Sequence, residues 1–185
     1  MSKFVEKAQA SAEAGFTLIG ILAAIAIPQY EKYITSAKAS DVATNFHSAI
    51  TAATAAAAAA QAGQYTYLVS STTSAATGVL NGTTPNPANP NAIEYAFETG
   101  KPTHGQVGVT VHGAGTAPSS LAAGLTGTLV TPGYTSIVIS DTVTGLSSTT
   151  LQNDITSAIN AQHVTGATCS SGVCTVTISA NGAVS

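Results

Sequence analysis

Two cysteines near the C-terminus are the residues of this sequence whose type and spacing best suit the formation of a covalent bond. Cys169 and Cys174 flank Ser-Ser-Gly-Val, a spacing that suits a short loop at the start of a β-hairpin. Two thiols supply only half of a tetrahedral zinc site, and no pair of histidines stands nearby at ligand spacing. A redox pair has closer spacing. The sequence therefore predicts a structural disulfide between Cys169 and Cys174.

Side chains that could transfer a proton are scattered along the chain. The histidines are His47, His104, His112 and His163. His104 and His112 have the even separation that allows two residues to share one strand face. Glu94 and Glu98 could share a strand face or a helix turn, but no base or nucleophile accompanies them. Since phosphate loops, nucleophile elbows and His-Glu-x-x-His motifs are also absent from the sequence, we expect neither enzymatic activity nor a cofactor or metal.

The amino-acid composition indicates which classes of partner this chain could bind. Charged residues make up 7% of the 185 residues, and hydrophobic residues make up 44%. A soluble domain usually has roughly 25% charged residues, and a disordered chain is usually rich in charge. All five basic residues are scattered lysines, so no basic stripe could neutralise phosphates and no arginine could bind a base edge. We expect no direct nucleic-acid partner and a surface that tolerates self-association.

Helical periodicity dominates the first third of the chain. Apolar residues recur at steps of three and four: Tyr30, Ile34, Ala37, Val42, Phe46, Ala49, Ile50 and Ala53. The alanine run 55–60 has high helix propensity, and Gly63 suits a left-handed cap. Pro28 suits a first helical turn or a kink. We therefore expect an N-terminal helix over residues 16–63 and a β-rich head over residues 64–185.

Short alternating runs bounded by glycine or proline predict strands in the head. They lie at residues 93–97, 106–112, 127–131, 135–140 and 174–180. Leu151, Ile155 and Ile159 lie at four-residue steps and predict a second, short helix. The expected fold is α+β, with the long N-terminal helix packed on a small antiparallel sheet and a disulfide hairpin at the C-terminus.

A stretch rich in threonine, asparagine, proline and glycine separates the helix from most of these strands. Residues 70–91 contain Pro85, Pro87 and Pro90, which predict a surface loop. Within it, Asn81-Gly82-Thr83 fits the acceptor sequence for N-linked glycosylation. The many serine and threonine residues could also carry O-linked sugar.

The sequence changes abruptly from polar to apolar after Gly15. Residues 15–19 read Gly-Phe-Thr-Leu-Ile, and residues 20–30 read Gly-Ile-Leu-Ala-Ala-Ile-Ala-Ile-Pro-Gln-Tyr. Both pieces closely resemble the N-termini of type IV pilins, and the resemblance extends over roughly residues 15–45. It implies a leader of residues 1–15, cleavage by a prepilin peptidase between Gly15 and Phe16, and methylation of the new N-terminal Phe16.

The same resemblance implies an assembly role for the apolar segment, residues 16–27. In type IV pilins this segment anchors the subunit in the inner membrane and then packs in the core of a surface filament, with the help of pilus assembly machinery. The corresponding residues here are Phe16, Leu18, Ile19, Ile21, Leu22, Ile25, Ile27, Pro28 and Tyr30. The expected function is that of a structural subunit of a homo-oligomeric helical filament. Adhesion, motility and DNA uptake are not distinguished by these residues.

The sequence departs from the pilin pattern at Gly20. Gly20 stands where family members have a glutamate, and a further apolar stretch of about nine residues is absent before the Gly-Ile-Leu-Ala-Ala run. Such a deletion turns a helix by about two and a half revolutions. The remaining apolar run of about twelve residues reaches roughly 18 Å as a helix, short of the roughly 30 Å hydrocarbon core of a bilayer. The family's glutamate-based alignment of neighbouring subunits is therefore missing.

Other interpretations of the apolar segment remain open. Ala24-Ile25-Ala26 matches the small-x-small cleavage pattern of a secretory signal, and cleavage after Ala26 would release a soluble binding domain. The segment could also be a buried core helix, or belong to a pseudopilin of a secretion system. Either export route would place Cys169 and Cys174 where thiols are oxidised.

Overall fold

The computed structural model describes residues 2–70, 78–97, 102, 104–113, 115, 127–146 and 148–185. Over these residues the chain has an α+β fold, as predicted. Its elements are α1 (Ser2–Gln61), β1 (Thr66–Ser70), β2 (Gly78–Asn81), β3 (Tyr95–Phe97), β4 (Gln106–His112), β5 (Gly127–Val130), β6 (Ser136–Thr142), α2 (Thr149–Ala161), β7 (Thr168–Ser170) and β8 (Val173–Ser179). The chain divides into two compact units between Ser36 and Ala37.

Helix α1 ends as the sequence predicts, at a left-handed glycine. Gly63 has φ +81°, its N–H donates to the Ala60 carbonyl at 3.0 Å, and the Gln64 N–H donates to the Ala59 carbonyl at 2.9 Å. These two bonds form a Schellman cap, which satisfies carbonyls that the helix itself leaves without donors. The cap fixes where the chain leaves the alanine-rich last turns and enters β1.

Pro28 lies in the interior of α1, because the helix already begins at Ser2. Of the two positions that the sequence allowed for Pro28, a first helical turn or a kink, the structure excludes the first turn. Since proline has no N–H, the Ala24 carbonyl loses its usual donor four residues ahead. Long runs of good helix formers on both sides allow the helix to continue past this residue.

The C-terminal part of α1 packs in the core of the larger unit. Val42, Phe46, Ala53 and Ala57 are each at most 1% exposed, and they recur at helical spacing. Hydrogen bonds also join this part of α1 to the rest of the unit: the Tyr95 hydroxyl donates to the Asn45 carbonyl at 3.4 Å, and the Gln61 amide donates to the Ala180 carbonyl at 3.1 Å. Small alanine side chains let the helix lie close to the sheet residues of the same core.

A five-stranded sheet forms the largest part of that core, with strand order β3-β4-β6-β8-β7. Buried and half-buried residues alternate along β6 and β8. Ile137 and Ile139 of β6 pair with Ile178 and Val176 of β8 and point inward with them. The buried side of α2, formed by Leu151, Ile155 and Ile159, contributes to the same core.

A second sheet has the order β2-β1-β5 and corrects the predicted topology. We expected one antiparallel sheet, but β1 pairs with β2 in parallel, and β3 pairs with β4 in parallel. Strand β2 also lies within the predicted loop 70–91, because Leu80 enters the core beside β1. A two-residue hairpin turn cannot join parallel strands, so no local turn signal marks these pairs.

The boundaries of the predicted strands are close to those observed. Strand β3 begins at Tyr95 rather than at residue 93, since Ile93 forms an isolated antiparallel bridge with Pro85. Strand β4 has the predicted limits, Gln106 and His112. Strand β6 extends two residues beyond the prediction, to Thr142, because Asp141 and Thr142 still pair with β4 and β8.

Helix α2 forms as predicted and begins at a serine cap. The Ser148 hydroxyl accepts a hydrogen bond from the Leu151 N–H at 3.3 Å. We expect Ser148→Ala to lower the free energy of unfolding by about 1 kcal/mol, because the first turn of α2 then loses an acceptor for its free N–H groups. Urea unfolding at neutral pH would measure this. Ser148→Asp should retain most of the stability, and equal losses in both variants would show that capping is not the cause.

Candidate assembly segment and disulfide hairpin

Residues 16–30 of α1, which extend the predicted segment 16–27 by three residues and are called the apolar segment from here on, present their large side chains to solvent. Their exposed fractions range from 57% at Ile27 to 84% at Phe16. The other large exposed side chains of the segment are Leu18, Ile19, Ile21, Leu22, Ile25 and Tyr30. Pro28 is exposed as well. The predicted assembly residues thus share one accessible helical segment, and the expectation of a buried core helix is wrong for them in the single chain.

The apolar segment has no charged side chain on any face of the helix. The charged residues Glu31 and Lys32 follow it directly. A helix that is apolar on all sides is usually covered by protein or lipid, because each buried large aliphatic side chain is worth about 1.5–3 kcal/mol. An exposed apolar surface of this kind commonly marks an interaction site.

The junction of the predicted leader lies within continuous helix. Gly15 and Phe16 both belong to α1. At Gly20, where pilins have glutamate, no described atom beyond the neighbouring residues and backbone of the same helix lies within 4 Å of the position that a Cβ would occupy. A side chain at this position therefore meets no steric barrier within the single chain. In the part of the chain that the structure describes, no helix has the length and apolar character needed to cross a membrane.

The disulfide predicted between Cys169 and Cys174 is present. The two residues lie directly opposite each other on the antiparallel strands β7 and β8, with their Cα atoms 4.0 Å apart. The hairpin turns at Ser171 and Gly172, which have φ angles of +52° and +75°. Two consecutive left-handed residues are typical of a type I′ turn, whose twist matches the strands that it joins. The bond therefore fastens β7, an edge strand of the five-stranded sheet, to β8.

Removing this disulfide is expected to lower the free energy of unfolding by about 2 kcal/mol, the low end of the usual range, because the closed loop is short. The variant is the double change Cys169→Ala and Cys174→Ala, measured by thermal unfolding beside the oxidised and the reduced wild-type protein. Reduced wild type and the double variant should behave alike. A reduced protein as stable as the oxidised one would contradict the prediction.

The candidate proton-transfer residues are not brought together. His104 lies in a turn at φ +56°, before β4 begins, whereas His112 is the last residue of that strand. The two histidines therefore do not share a strand face, which their even separation would have allowed. Glu98 lies outside the described residues. Burial raises the pKa of Glu94, although the Tyr95 hydroxyl lowers it in part and the nearby Asp41 carboxylate raises it. Among the described residues no cluster of three potential metal ligands occurs.

Asp141 is a functional candidate that the sequence did not single out. Its side chain is fully buried on the core side of β6, opposite Val107 of β4 and Cys174 of β8. Neither carboxylate oxygen has a hydrogen-bond partner among the described residues. Burial raises the pKa of Asp141 to about 7, and the nearby Thr142 backbone lowers it in part. The sequence signal for this burial was the alternation of side chains along β6, which places residue 141 on the same side of the strand as residues 137 and 139.

A long N-terminal helix, small β-sheets and a C-terminal disulfide are together compatible with a pilin-like fold. Neither family models, curated proteins nor solved structures match this chain.

Proposed function

We propose that this chain is a structural subunit of a type IV pilus-like surface filament. The observation that carries the proposal is the charge-free apolar segment, residues 16–30, which is exposed along its length and follows directly after Gly15-Phe16. The proposed maturation is cleavage by a prepilin peptidase between Gly15 and Phe16, followed by methylation of Phe16. The mature subunit is held by the inner membrane until the assembly machinery adds it to the filament.

Burial of the apolar segment is the proposed driving force for assembly. Each large aliphatic side chain that leaves water contributes about 1.5–3 kcal/mol, and the segment offers several of them. A contact between different surfaces of identical subunits generates an open fibre when the rotation does not close into a ring. The low charge of the chain, with a net charge of −3, adds little repulsion between neighbouring copies. The proposed role is structural rather than enzymatic.

The first experiment is an intact-mass measurement of the protein sheared from cell surfaces, with and without reductant. A mass that lacks residues 1–15 and carries one additional methyl group is the expected result. Recovery of the same processed mass from the cell envelope but not from sheared filaments would favour a pseudopilin. A chain that begins at Ile27 would identify a secreted soluble domain, and the filament proposal would be abandoned.

Restoring a carboxylate at Gly20 offers a second test of the proposal. Pilins, which the sequence resembles, pair a glutamate at this position with the N-terminus of a neighbouring subunit. Because the position is sterically open, we expect Gly20→Glu to fold normally and to increase the yield of filaments at neutral pH. Gly20→Gln is the matched control, since it adds the same volume without charge. Equal yields from both variants would contradict a role for the charge.

A further inference from the structure

Two turns of this protein share the dipeptide Asn-Gly and a hydrogen bond from the backbone to the asparagine side chain. They are Asn81-Gly82-Thr83, at the end of β2, and Asn181-Gly182-Ala183, after β8. In each turn the asparagine is exposed, and its Oδ1 atom accepts a hydrogen bond from the backbone N–H two residues later, at 3.0 Å from Thr83 and at 3.1 Å from Ala183. At the third residue only the first turn has a hydroxyl, Thr83, whereas in the second turn the hydroxyl of Ser179 donates to Asn181 Oδ1 at 2.5 Å.

The hydroxyl of Thr83 completes the acceptor sequence Asn-x-Thr. It donates to Asn81 Oδ1 at 2.6 Å, so that two hydrogen bonds hold the carbonyl end of the side-chain amide against the turn. The amide is planar, and its Nδ2 end therefore points away from Thr83. The hydrogen bonds of the Asn81 side chain to described residues both involve Oδ1, and the residue is exposed.

The position in the fold also suits modification. Strand β2 lies at the edge of the three-stranded sheet, with β1 on its inner side. Asn81 and Thr83 are exposed, whereas Gly82 between them is buried, so the turn displays the two side chains of the motif together. A transferase could reach both without unfolding the sheet.

We propose that Asn81 is an N-glycosylation site that accepts an oligosaccharide from a polyprenyl-diphosphate-linked donor. The new bond joins Nδ2 to the anomeric carbon of the first sugar. The bond from that carbon to the diphosphate oxygen breaks, its electron pair leaves with the diphosphate, and one Nδ2 proton passes to a basic group of the oligosaccharyltransferase. The site requires export of the chain but not filament assembly, so it stands independently of the proposed function.

A glycan on Asn81 would make the exposed edge of β2 more polar. It is bulky and soluble, and it would cover the outer edge of β2 beside Val79, which is 60% exposed. Exposed apolar edges of sheets tend to pair with other chains. The modification would therefore limit edge-to-edge association of the sheet while leaving residues 16–30 untouched.

The test presents the purified, folded and oxidised full chain to a single-subunit oligosaccharyltransferase and its polyprenyl-diphosphate-linked oligosaccharide. An Asn-x-Thr peptide is the positive control, and glycopeptide mass spectrometry locates the sugar. We expect one glycan on Asn81, its loss in both Asn81→Gln and Thr83→Ala, and its retention in Thr83→Ser. Circular dichroism of each variant confirms that the fold is retained.

Ala183→Thr is the matched variant, because it places a hydroxyl in the second Asn-Gly turn. We expect this change to add a glycan at Asn181. A wild-type chain that stays unmodified at Asn81, under conditions in which Asn181 of the variant is modified, would overturn the proposal. It would also be overturned if the peptide and the urea-unfolded chain accept sugar but neither turn of the folded chain does.

Discussion

Replacing Ile25 with aspartate is expected to abolish filament formation and to leave the free energy of unfolding of the single subunit nearly unchanged. Ile25 is 63% exposed in the single chain, so its charge there stays in water. In the proposed filament every copy would bury this carboxylate in an apolar interior without a partner, which costs several kcal/mol per subunit. The measurement is electron microscopy of the sheared fraction, combined with thermal unfolding of the purified subunit.

Val79→Asp is the matched control for this experiment. Val79 is 60% exposed, close to the value for Ile25, but it lies on β2 rather than in the apolar segment. We expect normal filaments from this variant. Filaments from Ile25→Asp at the wild-type yield would contradict burial of the segment, whereas equal loss of filaments in both variants would point to a general effect of added charge.

Raising the pH from 5 to 8 is expected to destabilise the folded chain through Asp141. The pKa of this buried carboxyl is raised from 3.8 to about 7, so the folded state holds a proton that the unfolded state has released. Stability therefore falls as the pH rises from about 4 through about 7, and it is lowest when the charge must be buried. For these two pKa values, the free energy of unfolding falls by about 3 kcal/mol between pH 5 and pH 8.

Asp141→Asn should remove most of this pH dependence, because an amide of similar shape does not titrate in this range. Urea unfolding at several pH values measures the slope for both proteins. Glu94 contributes in the same direction, since burial also raises its pKa, and it remains present in the variant. Asp154→Asn, on α2, is a control for the loss of one carboxylate. An unchanged slope in Asp141→Asn would show that Asp141 is not the group responsible.

Local sequence patterns were sufficient to predict the features that depend on contacts within a few residues. The cap at Gly63 and the start of α2 at Ser148 depend on contacts within a few residues, so their residue types predict them. The hairpin with Cys169 and Cys174 is equally local, since two adjacent residues form its turn. The resemblance of residues 15–30 to pilins supplied a hypothesis about assembly that the structure of one chain does not test.

Only the tertiary structure decided the features that depend on distant partners. The parallel pairings of β1 with β2 and of β3 with β4 bring together strands without a tight turn, so alternation within each strand does not reveal them. Asp141 has an ordinary strand sequence around it, and its raised pKa arises because β4 and β8 exclude water from both sides. Short-range periodicity therefore predicted both helices and strands β3, β4, β5, β6 and β8, but it missed β1, β2 and β7. Long-range packing decided the strand partners and the environment of the buried Asp141.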